Sequence, residues 1–381
     1  MSKLEELLKR ECPDGVEYKK LINVCDIKRG ERITKKDIKE NGMFPIISGG
    51  QFPMGMYDKF NRDENTITIA SYGSAGYVDY QTKKFWANDV CLCLYPKIKL
   101  LNKFLYYYLK FKQDFLYSKT TNAIPNHIPT DIIKELLIPL PPIEIQEEIV
   151  GILDTFTKYQ DLLNRELELR KKQYEYYREK LLTFDDKIKH IPIGSLMERI
   201  KEKGKDDLTV KQVYVVSNIK GIVKTEDYHD NNIHSEDTSN YTILRQDMFA
   251  YNPSRLNIGS IGRLKTSISG LVSPMYVVFS VDKSMVDVKY FEYFIKSPKI
   301  INKIDSLKEE GARFRFDYNR WNWIDIPIPP LEEQERIVNI LDKFDALCND
   351  ITKGLPAEIE MRKKQYEYYR DKLLTFKEKK K

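Results

Sequence analysis

The sequence predicts an α+β protein in which two mixed α/β globular domains are separated by two long helices, paired as an antiparallel coiled coil with approximate two-fold symmetry. Three observations predict it. One long segment occurs twice; each copy carries apolar residues at three-and-four spacing; and the stretches outside the copies alternate short apolar runs with polar loops before an aromatic helix. The expected division is a globular domain at 1–143, a central helix at 144–184, a second domain at 185–330, a C-terminal helix at 331–376 and a basic tail at 377–381. At 381 residues the chain is too long for one ordinary domain of roughly 150.

The duplication comes in two blocks. Ile138-Pro-Leu-Pro-Pro-Ile-Glu-Ile-Gln-Glu-Glu-Ile-Val150 returns 188 residues later as Ile326-Pro-Ile-Pro-Pro-Leu-Glu-Glu-Gln-Glu-Arg-Ile-Val338. RKKQYEYYREKLLTF at 170–184 returns 192 residues later at 362–376, with Glu179 replaced by Asp371. The second copy therefore carries about one extra helical turn, near Lys353-Gly-Leu-Pro356, and proline there is expected to kink or break the helix.

Each copy opens on a proline cluster, which suits an extended entry and a helix's first turn. In the first, Ile149, Leu153, Phe156, Leu163, Leu167, Tyr174, Tyr177 and Leu181 form a seam, and Glu, Lys, Arg and Gln fill the other faces. A helix from about Glu144 to Leu182 is roughly 58 Å long at 1.5 Å per residue. It needs a partner along its length, and its duplicate is the expected one.

The two intervening segments differ in sequence but share a layout. Strands are expected at Thr66-Ile-Thr-Ile-Ala70, Val90–Tyr95, Val213–Val216 and Met275–Phe279, and covering helices at Phe104–Leu109 and Tyr290–Ile295. Polar loops lie between them. Arg, Lys, Ser and backbone amides hold phosphates, whereas Arg, Asn and Gln read base edges. On that chemistry the first segment offers Ser48, Gly49, Gln51, Tyr72, Ser74, Lys83, Lys84, Asn122, Asn126 and His127 as DNA contacts. The second offers Asn252, Ser254, Arg255, Asn257, Arg263, Lys265, Arg313, Arg315, Asn319 and Arg320.

Composition and motifs exclude several classes. Lys plus Arg exceed Asp plus Glu by 63 to 57, a net charge of +6, so any DNA contact comes from local patches rather than a uniformly basic surface. The N-terminus lacks the apolar core of a signal peptide and no run approaches a membrane span, which leads us to expect a cytoplasmic protein without membrane association. Five cysteines without a Cys-x-x-Cys pair are expected as free thiols, Cys91 and Cys93 packing on one face of a strand. His229 and His234 are the one close histidine pair, in a polar loop, and give no zinc ligand set. A phosphate-binding Gly-x-x-x-x-Gly-Lys loop is missing. Asn252-Pro-Ser254 is an incomplete form of an adenine-methyltransferase motif, and Asp287-Val-Lys289 is half of a nuclease pattern; neither has a chemical partner. We expect no catalytic residue, metal or cofactor.

Two divergent domains, each followed by a near-identical Pro-Pro-x-x-x-Gln helix, resemble the specificity subunit of type I restriction-modification systems over essentially the whole chain. Phe44-Pro-Ile-Ile-Ser-Gly-Gly50 and Gly270-Leu-Val-Ser-Pro-Met-Tyr-Val-Val278 are similar to parts of that family's target-recognition domains. The resemblance implies that each variable domain reads one half of a bipartite site on double-stranded DNA. It implies that the paired helices hold the gap and dock methyltransferase subunits, expected to be two, with motor and nuclease subunits joining through the complex. Methylation and cleavage then belong to partner chains. Gln146, Arg170, Tyr174 and Tyr177, with their copies Gln334, Arg362, Tyr366 and Tyr369, are the expected docking residues. A coiled-coil scaffold whose domains bind proteins or glycans is the competing reading, and a self-contained nuclease or methyltransferase a third.

Overall fold

The computed structural model describes residues 3–121, 124–228, 237–307 and 314–379. It divides into two compact units, Met1–Arg165 with Glu358–Lys381, and Glu166–Ala357. The division differs from the expected one because each globular core takes in helix from both repeats.

The central helix runs unbroken from Ile143 to Leu181. The second repeat forms two helices, Leu331–Asn349 and Leu355–Leu374. The break expected at Gly354-Leu-Pro356 is present. Asp350 ends the first piece by accepting the amides of Thr352 and Lys353 at 2.7 and 3.2 Å. A Cβ on Gly354 would lie 2.4 Å from the Ala346 carbonyl oxygen, so only glycine fits where the chain folds back on the helix end.

In the first unit a four-stranded sheet runs in the order Cys25–Arg29, Cys91–Pro96, Thr66–Ala70, Val78–Gln81. A smaller sheet pairs Phe44–Ile47 antiparallel to Met56–Tyr57 and parallel to Trp86–Ala87. The second unit repeats both. Met197–Arg199, Val277–Val281, Phe249–Tyr251 and Ile261–Arg263 lie in the corresponding order. Val213–Ser217 pairs antiparallel to Gly221–Lys224 and parallel to Gly270–Val272, and Thr242–Leu244 adds an edge. One scaffold thus carries two sequences whose similarity is hard to see residue by residue. Alternating strands need only apolar inward positions, and many residues satisfy that.

The aromatic helices Asn102–Phe111 and Val288–Ile295 cover the larger sheets, burying Phe104, Leu105 and Leu109 in one unit and Tyr290, Phe291 and Ile295 in the other. Each also packs on the start of its repeat helix. Ile145, Ile149 and Leu153 join the first core, and Ile337, Val338 and Leu341 the second. The expected seam is therefore shared: Ile149 and Leu153 enter the globular core, which also takes in Leu374 of the C-terminal helix. Farther along, helix meets helix through rings. Phe156 stacks on Tyr369 at 5.5 Å in the first unit, and Phe344 lies between Tyr174 and Tyr177 at 6.0 and 5.6 Å in the second. One step on, Tyr159 meets Arg362 in the first unit and Cys348 lies by Lys171 in the second. In both units the numbers rise on one helix as they fall on the other, so the helices are antiparallel.

The joint between domain and helix is built identically twice. Gln146 is buried; its Oε1 accepts the Leu101 amide at 2.8 Å and its Nε2 donates to the carbonyls of Pro141 and Lys99 at 2.8 and 3.4 Å. Gln334, also buried, accepts from the Asp287 amide at 2.8 Å and donates to Pro329 and Met285 at 2.8 and 3.1 Å. About two turns further along each repeat helix a carboxylate fixes the covering helix. Asp154 receives Lys103 and Tyr107 at 2.6 Å each, and Asp342 receives Lys289 and Tyr293 at 2.6 and 2.7 Å. The first unit is closed by residues from far downstream: the Val16 amide donates to the Lys377 carbonyl at 2.8 Å, and Leu374 is buried in its core. All five cysteines are free, and burial pushes the Cys25 thiol up to about 12.

Replacing Gln146 by Ala leaves one amide and two carbonyls short of partners. Loss of a buried partner costs about 1–3 kcal/mol per group. Gln146→Ala should therefore lower the urea midpoint clearly, and Gln334→Ala should do the same, whereas Glu147→Ala, at the exposed neighbouring position, should leave it within error.

Candidate nucleic-acid interface

Within each unit the repeat helices sit at one end of the large sheet and the polar loops at the other. The strand Thr66–Ala70 begins on the helix side and delivers residues 71–76 to the opposite end, and residues 252–260 follow Phe249–Tyr251 in the same way. Three loops converge there in the first unit. The Ser74 amide donates to the Gly49 carbonyl at 2.7 Å, and the Gly73 amide to Asn126 at 3.0 Å. Tyr72 and His127 stack at 5.4 Å, with His127 Nδ1 held 2.8 Å from Thr121 Oγ1. Gly49 is there because a Cβ would lie 2.4 Å from the Tyr72 carbonyl oxygen. Ser48 receives Asn88 Nδ2 at 3.4 Å, and Gln51 stands exposed. Ser48, Gly49, Gln51, Tyr72, Ser74, Asn126 and His127 thus form one cluster; Asn122 lies outside the described residues.

The second unit joins the corresponding loops. The Phe316 amide donates to Pro253 at 3.0 Å, and Asn252 organises its own turn by accepting the Ser254 amide at 2.9 Å. Ser254, Arg255, Arg315 and Asn319 are exposed around it. Arg320 donates to the Leu307 carbonyl and lies 5.6 Å over the Trp323 ring, while Asn257 donates to Asp305 at 3.0 Å. Arg313, His229 and His234 lie outside the described residues.

Several expected contacts belong elsewhere. Arg263, 8% exposed, ends its strand on the helix side and donates to Glu292 at 3.0 Å and Asp247 at 2.6 Å. Its guanidinium is held by the buried Glu292 and the partly exposed Asp247, which places it in the domain's interior and away from the loop cluster. Lys265 follows it on that side and helps lower the Glu292 carboxyl. Lys84 pairs with Asp63 at 3.5 Å and covers Phe60 at 4.4 Å, beside exposed Lys83 and before the strand that leads to the loops. Asp287, half of the nuclease pattern, caps its helix by accepting the Lys289 and Tyr290 amides at 2.8 and 2.9 Å.

The helix residues also divide. Gln146 and Gln334 are internal clamps, which corrects their reading as docking residues. Tyr174, Tyr177, Tyr366 and Tyr369 turn toward helix pairing, and Tyr174 is 8% exposed. Arg170 holds Glu166 at 2.8 Å, and Arg362 holds Gln365 at 3.0 Å while lying 5.3 Å over Tyr159. The outward ring of the duplicated Tyr-Glu-Tyr-Tyr is the middle tyrosine: Tyr176 is 60% and Tyr368 63% exposed. Helical phase carries that signal, since the adjacent inward tyrosine stacks on phenylalanine. Among the described residues no group of His, Cys, Asp and Glu is placed to hold a metal, and no helix is long and apolar enough to cross a membrane.

One scaffold displayed twice, each copy with its own loops at the end away from the helices, defines a modular recognition protein. The model of the type I restriction modification DNA specificity domain matches twice, over residues 13–170 and 197–361. The chain belongs to that family and is a type I restriction-modification specificity subunit. It is 32% identical to a putative type I restriction enzyme specificity subunit from Haemophilus influenzae, over 98% of each chain. It is 30% identical to the EcoR124I/EcoR124II specificity subunit of Escherichia coli, over 99% of this chain and 97% of that one. In fold it is similar to the S subunit from M. genitalium, with a TM-score of 0.57, 20% identity and coverage of 94% and 95%.

Removing Arg263 leaves the buried Glu292 with Lys296, at 2.8 Å, as its remaining hydrogen-bonded cation, so the cost should fall below the roughly 3–5 kcal/mol of a buried ion pair broken from one side. Arg263→Ala should lower thermal stability accordingly without changing which bases are read. Burial raises the Glu292 carboxyl, but Lys296, Lys265 and Arg263 outweigh it and hold the group below its ordinary value. A carboxylate depressed on folding stabilises above its unfolded pKa and loses that contribution as pH falls through the folded value. Melting temperature measured from pH 7 down to 3 should therefore fall less steeply in Arg263→Met/Glu292→Leu than in the parent.

Proposed function

We propose that each unit's loop cluster reads one half of a bipartite site on double-stranded DNA. In this reading residues 1–143 and 185–330 are the target-recognition domains, and 144–184 and 331–376 the helical spacer between them. The observation that carries it is the repetition of one scaffold with divergent loops at the same sheet end, beside a joint kept nearly unchanged. Divergence where a site is read and identity where a domain is mounted is what two different half-sites require. Ser48, Gly49, Gln51, Tyr72, Ser74, Asn126 and His127 line the first reader; Asn252, Ser254, Arg255, Asn257, Arg315, Asn319 and Arg320 line the second.

The chain itself catalyses nothing: it supplies specificity to methyltransferase subunits, two per complex, and through them to motor and nuclease subunits. Tyr176 and Tyr368, exposed at matching positions of the repeat, are the docking rings, since exposed aromatics are favoured at interface centres. Co-expression with the methyltransferase subunit and mapping of adenine methylation over a randomised DNA library should return a two-part motif with a fixed gap. A stable complex that methylates without a two-part motif would overturn the reading.

Two further outcomes are expected. Tyr176→Ala with Tyr368→Ala should weaken co-purification of the methyltransferase subunit while leaving the melting temperature nearly unchanged. Adding one helical turn to both spacer helices lengthens each by about 5.4 Å, and the library should return a gap longer by about one or two base pairs at 3.4 Å per step.

A further inference from the structure

Exposed single apolar side chains are ordinary on protein surfaces. What stands out here is recurrence at one place in the scaffold. In the first unit Phe44–Ile47 leads through residues 48–55 into Met56–Tyr57, and Phe52 on that connection is 84% exposed. In the second, Val213–Ser217 turns through residues 218–220 into Gly221–Lys224, and Ile219 at the tip is 87% exposed. These are the same hairpin: each first strand is antiparallel to the next and parallel to the corresponding later strand.

The two tips are built differently. The first is long and extended by mutual bonds of Ile46 with Gly55 and Met54 at 2.9 Å each. The second is tight, with Ser217 Oγ accepting the Ile219 and Lys220 amides at 3.2 Å each. Both end in a side-chain amide followed by a nearly bare apolar group, Gln51-Phe52 and Asn218-Ile219. Both lie against the reading loops, Gly49 on Tyr72 and Ser74, and Asn218 beside Gly259, whose φ of 84° opens that turn. Neither Phe52 nor Ile219 belongs to a hydrophobic core.

We propose that Phe52 and Ile219 are specificity-determining DNA contacts, each pressing an apolar surface onto a base step of the half-site its own unit reads. Beside a glutamine or asparagine that bonds base edges, an apolar group recognises a thymine methyl or a deformable step, information that hydrogen bonds do not supply. This rests on the bipartite reading above.

The test uses the chain in complex with its methyltransferase subunits, with adenine methylation read over a randomised library. Phe52→Gln should relax discrimination by roughly ten-fold, the loss typical of one wrong base pair, at one or two adjacent positions of one half-site, and leave the other half unchanged. Ile219→Gln should relax the other half alone. Phe52→Leu and Ile219→Val, which keep an apolar group, should retain most of the discrimination, and all four variants should elute with the methyltransferase subunit as the parent does. An unchanged motif in Phe52→Gln and Ile219→Gln, with the parent still returning two half-sites, would overturn this inference alone. Relaxation of both half-sites by either variant would overturn it too. A parent that returns no two-part motif would overturn the bipartite reading beneath it.

Discussion

The arrangement depends on one buried side chain used twice. A glutamine shortly after the proline cluster of each Ile-Pro-x-Pro-Pro segment enters the core and bonds simultaneously to the chain that precedes it and to the turn that starts the covering helix. A side-chain amide both donates and accepts with fixed geometry, and in a water-free site each unmade bond is expensive. This fixes the direction in which the repeat helix leaves its sheet. A carboxylate about two turns further along, Asp154 or Asp342, then ties the same helix to a lysine and a tyrosine of the covering helix, so the two helices are held at a second point. Everything at the far end of the sheet is positioned from that joint.

With the joint held constant, the interior beyond it is free to change chemistry. Where the first unit packs Tyr80 against Tyr106 at 5.3 Å, the second places Arg263 against Glu292 at 3.0 Å, on corresponding strand and helix positions. Asn65 and Asp247, both at positive φ, turn the chain into the neighbouring strand and bond that partner, Tyr80 at 3.4 Å or Arg263 at 2.6 Å. Aromatic contact and buried ion pair fill similar space by different means. The scaffold tolerates that exchange because both partners change together.

Much of this was legible in the sequence. The duplicated proline segment, the helical periodicity, the strands at Thr66–Ala70 and Val213–Ser217, and the break at Gly354 are local signals, and local physics decides them. The misread residues are those whose meaning depends on a distant partner. Arg263 looks like a phosphate ligand until Glu292 and Asp247 are placed beside it, and Gln146 looks like a surface residue until the turn at Leu101 closes over it. Ile149 and Leu153 fit a coiled-coil seam equally well as a domain core, because one apolar stripe serves either neighbour. The exposure of Phe52 and Ile219 is illegible for a different reason: nothing in sequence marks an apolar residue as exposed.

The closure of the first unit by residues 358–379 has a consequence for synthesis. The second unit, Glu166–Ala357, is one continuous stretch and can complete its core as soon as that stretch has left the ribosome. The first unit is made earlier but lacks Leu374 and the strand-like pairing of Val16 with Glu378 until about two hundred residues later. The earlier-made half therefore finishes last, and it waits with an open apolar seam while its neighbour is already native.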